Sequence, residues 1–159
     1  MMESRAFERS FDSLGAIAAF TGAFFAGAGI DPGLRPVIDL ALEELFTNIV
    51  KYGGASQADV EIAMACIPGG VEVTLIDHDA AAFDVTRVPD ADLSRPIEER
   101  APGGLGLHLV RRMLDSIEYE YLPERRLGRT TFRKTTGERC SSGVESGPPG
   151  DRAHGVNRS

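Results

Sequence analysis

The sequence predicts an α+β two-layer sandwich, in which a mixed, mostly antiparallel β-sheet is covered on one face by about three helices. Three observations predict this fold. Three apolar stretches have helical spacing, several shorter stretches alternate apolar and polar residues as half-buried strands do, and the two kinds follow one another along the chain. With 159 residues, 42% of them hydrophobic, the chain is long enough for one domain with a substantial core.

The N-terminal half predicts a strand, two helices and a hairpin in that order. Residues 5–11 alternate weakly between charged and aromatic side chains, which favours a strand, and the apolar run that ends near Ala28 predicts a first helix. An apolar stripe with helical spacing over residues 38–49 predicts a second helix. The alternating segments 58–66 and 71–75 then predict an antiparallel hairpin with one buried face.

The C-terminal half predicts a long loop, a third helix and two strands. Residues 77–102 have little periodicity, and ordered loops of such length are commonly functional lids. Helical spacing predicts the third helix over residues 105–114, and the alternation over 117–121 and 130–134 predicts the strands. The residues expected to face inward on this helix are Leu109, Val110, Met113 and Leu114.

We expect the domain to occupy residues 1–135. Residues 136–159 are rich in Gly, Ser, Pro and Arg and have almost no bulky apolar side chains. Such a segment cannot bury enough apolar surface to offset the entropy of ordering it. These residues are therefore predicted to form a disordered C-terminal tail.

Charge and cysteine content narrow the classes of partner. The net charge of −7 argues against a direct nucleic-acid binder, which would normally have a basic face, and favours a small ligand or a protein partner. Cys66 and Cys140 lack metal-like spacing, which indicates a reduced, cytoplasmic protein. The uncharged stretch Gly15–Ile30 is short for a membrane span and follows acidic residues, so we expect neither membrane insertion nor export.

The most informative motif is a carboxylate and a carboxamide on one side of the second helix. Glu44 and Asn48 are four residues apart, so at about 100° per residue they point nearly the same way. Glu44 could polarise a hydroxyl or water near a γ-phosphate, and the side-chain oxygen of Asn48 could ligate Mg²⁺. Lys51, on the same side, could reach phosphate oxygens. The alternative is a solvated helix face with a lysine favoured by the helix dipole.

A glycine-rich turn leads directly into the third helix. Gly103, Gly104 and Gly106 would let backbone amides approach an anion where the helix dipole favours negative charge. A tight turn before a helix is the alternative. His108 could touch phosphate or be a satisfied histidine at the core edge. Arg100 is a candidate lid contact to a γ-phosphate, with a solvated run of charges as its alternative.

Asp77 is expected at the tip of a strand, because it follows three alternating apolar positions. A buried carboxylate there needs a specific hydrogen-bond donor, and an adenine amino group would supply one. The alternative is a turn aspartate that accepts hydrogen bonds from the next backbone amides.

In this order and spacing, Glu44-x-x-x-Asn48, Asp77 and Gly104-x-Gly106 resemble the motifs of the GHKL, or Bergerat-fold, ATPases. That superfamily includes gyrase, the ninety-kilodalton heat-shock chaperone, MutL and the histidine kinases. The short lid and the stand-alone size are similar to the anti-sigma-factor serine/threonine kinases among them. The resemblance covers roughly residues 5–135 and includes the longer phrases Leu40–Asn48 and Glu98–Val110.

The resemblance implies the Bergerat ATP-binding fold, with ATP and Mg²⁺ as cofactors. It implies that Glu44 is the catalytic base, Asn48 the magnesium ligand, Lys51 a phosphate contact and Asp77 the carboxylate that reads adenine. The glycines would close a lid over the phosphates. The other residues implied in nucleotide binding are Asp79, Phe83, Arg100, Gly103, Gly104, Gly106, Leu107 and His108.

The resemblance also implies an activity and its partners. The activity would be ATP-dependent phosphorylation of a serine or threonine on an anti-anti-sigma antagonist of the STAS type. A sigma factor would be the second, sequestered partner, and a homodimer is the expected assembly.

One segment departs from the family pattern, which has Asp-x-Gly followed by Phe about three residues later. The segment Asp77–Phe83 lacks that glycine, and its phenylalanine comes one position late. The aspartate that faces adenine could therefore be Asp79 rather than Asp77, and the Asp79 side chain could narrow the base pocket. This departure keeps open a non-catalytic nucleotide-binding or interaction module.

A detached histidine-kinase catalytic domain or a small ATP hydrolase is the further alternative. Against it, no helical dimerisation segment with a phosphorylatable histidine is expected before residue 5.

Overall fold

The computed structural model describes residues 1–82, 84–86 and 104–137. Within these ranges the chain forms five strands and three α-helices, and short 3₁₀ turns lead into the first two helices. In chain order the elements are β1 (Met2–Phe7), α1 (Leu14–Ala28), α2 (Arg35–Tyr52), β2 (Val60–Ile67), β3 (Gly70–Asp77), α3 (Gly104–Met113), β4 (Ser116–Leu122) and β5 (Leu127–Thr135).

The strands form one sheet in the order β1-β2-β3-β5-β4. Each neighbouring pair in it is antiparallel, and β5 lies between β3 and β4. The predicted α+β sandwich is confirmed, with a sheet that is antiparallel throughout the described strands. The first strand is Met2–Phe7 rather than residues 5–11, because Ser10 caps the 3₁₀ turn that begins at Phe11 and so ends the extended chain.

The core lies between one face of the sheet and the helices. Alternating side chains of β2 and β3 point into it, among them Ile62 and Val73, and α2 contributes a stripe that includes Leu42 and Leu45. Burying each such side chain contributes about 1.5–3 kcal/mol. The opposite face of the sheet carries charged pairs, as where Arg133 Nε donates to Glu72 Oε2 over 2.6 Å.

Helix α1 joins the core along one side only. Its buried residues include Ile17, Phe20 and Phe24, and it ends where Gly29 adopts a φ of 65°, a left-handed conformation that glycine accepts readily. Within the described ranges, Phe11–Ala28 is the one helical stretch long and apolar enough to cross a membrane by length and composition. That is weak evidence, since helices packed into a protein core pass the same test.

The inward face of α3 differs in part from the prediction. Val110 and Leu114 are buried together with Leu107, whereas Leu109 is 51% exposed. The expectation for Leu109 was wrong, because at about 100° per residue positions 107, 110 and 114 share one side of a helix and position 109 lies nearly opposite position 107. The tail predicted over residues 136–159 falls almost wholly outside the described residues, so it stays a prediction.

Candidate functional site

The site is built where α2 faces the start of α3. Glu44 lies midway along α2 on the side that faces α3, and Gly106 lies in the first turn of α3. A Cβ added at Gly106 would come within 2.6 Å of both carboxylate oxygens of Glu44. A side chain at position 106 would therefore displace the Glu44 carboxylate, which glycine leaves in place. The structure brings together the predicted base and the predicted glycine-rich helix start.

The surroundings of Glu44 change its acidity. Burial raises the pKa of the Glu44 carboxyl, and the neighbouring charge of Glu43 raises that pKa further. The positive charge of Lys51, in the last turn of α2, acts in the opposite direction. A carboxylate with a raised pKa is a stronger proton acceptor, which is what general-base chemistry near neutral pH requires.

Asn48 is held one helical turn beyond Glu44. Its side chain is only 1% exposed, and its Nδ2 donates a hydrogen bond to the backbone oxygen of Val85 at 3.4 Å. In this orientation Oδ1 is the atom available to ligate a cation. No cluster of three or more His, Cys, Asp or Glu side chains occurs in the described part of the chain. Magnesium often takes only one or two protein oxygens beside phosphates and waters, so this donor set fits it.

Asp77 ends β3, the central strand of the sheet, and borders a small cavity on the core side of that strand. Its walls are mainly apolar, with the Asp77 carboxylate, the Thr130 hydroxyl and Tyr119 as polar groups. Apolar walls with a few convergent polar groups suit a purine base. The cavity volume is about 10 Å³, the space that one water molecule needs, so a base would have to open it. The full lining is Ile49, Leu75, Asp77, Ala80, Val85, Tyr119, Gly128 and Thr130.

Arg9 forms a buried ion pair with Asp77. The two side chains are 8% and 11% exposed, and Arg9 Nη2 donates to Asp77 Oδ1. Arg9 also donates to the backbone oxygen of Ala58 at 3.1 Å and to Ser56 Oγ at 3.2 Å. Burial raises the pKa of Asp77, while the hydrogen bond and charge of Arg9 oppose that rise. The carboxylate thus already has one donor before any ligand is considered.

Asp79 lies away from this cavity. Its side chain is 61% exposed and faces Arg126 Nε at 3.5 Å. Its φ of 53° is in the left-handed region, which aspartate tolerates better than most residues do. The position where the family pattern has glycine therefore keeps a conformation that favours glycine. Of the two aspartates considered, Asp77 is the one at the cavity.

The remaining predicted contacts divide into three groups. The side chain of Leu107 is 4% exposed and belongs to the core, so only its backbone could face a phosphate. His108 is exposed on α3, and Gly104 is the first residue of that helix. Their roles stay predictions. The residues that lie outside the described ranges are Phe83, Arg100 and Gly103.

Sequence reasoning missed several residues that line this region. Thr130 is 2% exposed and pairs with Leu75 in the sheet, while Gly128 pairs with Asp77. Alternation in β5 could have identified Thr130, because it shares a side with the buried Phe132 and is a polar residue on the core face. Arg9 gave no comparable signal, since its partners lie 47 to 68 residues away.

Comparisons with known proteins identify relatives of this chain. The chain is 30% identical over 88 residues to the serine/threonine-protein kinase BtrW of Bordetella bronchiseptica, a match covering 55% of this chain and 62% of that protein. It is 27% identical over 84 residues to the serine-protein kinase RsbW of Bacillus cereus, covering 50% of this chain and 52% of that protein. The matches thus span little more than half the length of these relatives.

A solved structure supports the fold. The RsbU and RsbW domains of Rv1364c from Mycobacterium tuberculosis superpose with a TM-score of 0.60 at 14% identity, covering 85% of this chain and 32% of that one. A family model described as the histidine kinase-like ATPase domain matches residues 7–133. The predicted resemblance to Bergerat-fold ATPases is therefore confirmed, and the chain belongs to the histidine kinase-like ATPase domain family.

Proposed function

We propose that the protein is an ATP-dependent protein serine/threonine kinase of the anti-sigma-factor type. It would phosphorylate an anti-anti-sigma antagonist of the STAS type and sequester a sigma factor. The observation that carries this proposal is the contact between Glu44 and Gly106, because it places a carboxylate with a raised pKa beside the start of a glycine-rich helix. The names of the relatives BtrW and RsbW support a serine/threonine kinase.

The proposed chemistry assigns a role to four of the predicted site residues. Glu44 accepts the proton of the substrate hydroxyl while that oxygen bonds to the γ-phosphorus and the bond to the leaving oxygen of ADP breaks. Asn48 Oδ1 would hold Mg²⁺, which neutralises charge on the phosphate oxygens. Lys51 would add a positive charge at the phosphates. Asp77, with Thr130 beside it, would receive the adenine amino group.

The proposed setting is cytoplasmic, with a homodimer as the working assembly. The homodimer is implied by the resemblance stated for the sequence, and the cytoplasmic setting by the cysteine content. Neither nucleic acid nor a membrane enters the proposed activity, in keeping with the net charge of −7.

The test is phosphoryl transfer from γ-labelled Mg-ATP to STAS-domain proteins encoded in the same genome. The wild-type chain should label one of them on serine or threonine, and Glu44→Gln should lose this transfer while still binding ATP. Glu43→Gln is the matched control: Glu43 is exposed at the neighbouring helix position, so its loss should lower the pKa of Glu44 but leave transfer in place. Equal transfer by Glu44→Gln and wild type would eliminate Glu44 as the base.

A non-catalytic interaction module is the second candidate. The small cavity beside Asp77 favours this candidate, because it must open before a base can enter. Calorimetry with ATP and ADP separates the two candidates. Binding of neither nucleotide would support the module, whereas binding with measurable turnover would exclude it.

A further inference from the structure

Arg9 connects three parts of the chain at the base end of the site. It follows β1, and its guanidinium donates to the backbone of Ala58, to Ser56 Oγ and to Asp77 at the end of β3. Ser56 Oγ in turn donates to the backbone oxygen of His78 at 3.0 Å. The guanidinium is thereby fixed in position and direction, since its fork of donors is engaged on more than one side.

The guanidinium also lies against the C-terminal end of α2. A Cβ added at Gly53 would come within 2.6 Å of Arg9 Nη1, and this nitrogen is buried without a hydrogen-bond partner among the described residues. The C-terminal end of a helix carries partial negative charge, which favours a cation there. The structure therefore tolerates an incompletely satisfied guanidinium in order to keep it beside Asp77.

Other charged or titratable groups near Asp77 are few in the described ranges. His78 is the next residue, but its side chain is 46% exposed and faces Glu61 Oε2 at 3.5 Å. Tyr119 of β4 lines the same cavity. Arg9 is thus the buried cation that favours the ionised form of Asp77 against the effect of burial.

We propose that Arg9 is the residue that sets base specificity, by holding Asp77 as an oriented carboxylate that selects a 6-amino purine over a 6-keto purine. The inference rests on the proposed function, because it requires a nucleotide base in the cavity that Asp77 borders. A carboxylate only accepts hydrogen bonds, so it pairs with an amino group and repels a keto oxygen. A protonated carboxyl can donate and would accept the keto purine. The bond from Arg9 uses Oδ1, which leaves Oδ2 to accept from the base.

The experiment measures the affinities of ATP and ITP by calorimetry at a series of pH values running downward from neutral, because burial raises the pKa of the Asp77 carboxyl. The two nucleotides differ at the purine 6-position, amino against keto. The variants are Arg9→Gln, which removes the charge, and Arg9→Lys, which keeps the charge but lacks the planar, branched donors of the guanidinium. Arg133→Gln is the control, because it breaks an ion pair on the far face of the sheet.

Wild type should prefer ATP at every pH tested. In Arg9→Gln the ratio of ATP affinity to ITP affinity should be about tenfold smaller than in wild type. Its ATP affinity should fall as the pH is lowered, because Asp77 then takes up a proton. Its ITP affinity should rise over the same range. Arg9→Lys should be intermediate, and Arg133→Gln should match wild type.

Two failures are distinguishable. If wild type binds ATP but Arg9→Gln keeps the wild-type preference and a flat pH profile, Arg9 is purely structural and the inference is overturned. If wild type binds neither nucleotide, the proposed function fails, and the inference fails with it. Should Arg9→Gln not fold, Arg9→Lys decides, because a single ammonium nitrogen does not replace the separate Nε and Nη2 that donate to Ala58 and Asp77, and an unchanged preference would overturn the inference.

Discussion

The carboxylate of Glu44 lies directly against Gly106, with no room between them for even one methyl group. The two residues are 62 positions apart in the sequence, on α2 and α3. The middle of one helix and the first turn of the other are therefore a single structural unit.

Replacing this glycine tests that unit. Gly106→Ala should strongly reduce transfer, because the added methyl overlaps the Glu44 carboxylate and displaces it, while the free energy of unfolding should change little because that carboxylate is the end of a flexible side chain. Gly15→Ala in α1 is the control, since a Cβ there has no atom within 4 Å. It should raise the free energy of unfolding by about 0.4–1 kcal/mol. Chemical denaturation measures both stabilities, and the transfer assay measures activity; wild-type transfer by Gly106→Ala would contradict the contact.

The raised pKa of Glu44 predicts a pH dependence of transfer. A base must be deprotonated, so the transfer rate should fall as the pH drops through a value above the ordinary glutamate value of 4.5. The measurement is the initial rate of transfer against pH. A rate that stays flat down to the ordinary glutamate value would argue against Glu44 as the base.

The raised pKa of Glu44 also predicts how folding stability depends on pH. The direction is opposite to that expected for a carboxylate in an ion pair. A group whose folded pKa is raised contributes stability below its unfolded pKa and loses it as the pH rises through the folded value. Glu44→Gln should therefore melt like wild type at acid pH and at a higher temperature than wild type at neutral pH. Thermal melts at both pH values check this, and Glu43→Gln provides the exposed comparison. A lower melting temperature at neutral pH would contradict it.

The left-handed backbone conformation of Asp79 predicts which of two variants at this position is more stable. Because its φ is 53°, Asp79→Gly should be more stable than Asp79→Ala by about 1 kcal/mol. Loss of the exposed pair with Arg126 is common to both variants and contributes little. Urea denaturation of the two proteins makes the comparison. Equal stabilities would mean that this residue does not need a left-handed conformation.

The buried hydroxyl of Thr130 predicts a contribution to base binding. Thr130→Val keeps the shape of the side chain but removes the hydroxyl at the cavity, so ATP should bind about tenfold more weakly. Thr131→Val is the matched control, because the Thr131 hydroxyl bonds Thr74 Oγ1 at 3.3 Å on the other face of the sheet. Calorimetry measures both affinities. Equal affinities in the two variants would remove Thr130 from the site.

Local patterns allowed much of this fold to be predicted. Helix α2 and the shared direction of Glu44 and Asn48 depend only on spacing within one helix, and the hairpin of β2 and β3 depends on alternation within two strands. The boundaries of β1 and the direction of Leu109 were wrong. Strand β1 ended earlier than predicted because Ser10 caps the turn that begins at Phe11. The buried side of α3 includes Leu107 in place of Leu109.

The parts that the sequence did not reveal depend on tertiary contacts. The partner of Asp77 is Arg9, 68 residues away, and no periodicity connects the two. Whether Asp77 or Asp79 reaches the cavity depends on how β3 ends against β5, where Asp77 pairs with Gly128. Side-chain chemistry suggested the candidates, and the sheet register distinguished between them.

The narrow fit at Gly53 has a mechanical consequence. Helix α2 carries Glu44 at its middle, while its final turn is wedged against the guanidinium that grips Asp77. The helix thus joins the end of the site meant for chemistry to the end meant for recognition. A substitution that shifts α2 should therefore change both the position of Glu44 and the ion pair that holds Asp77.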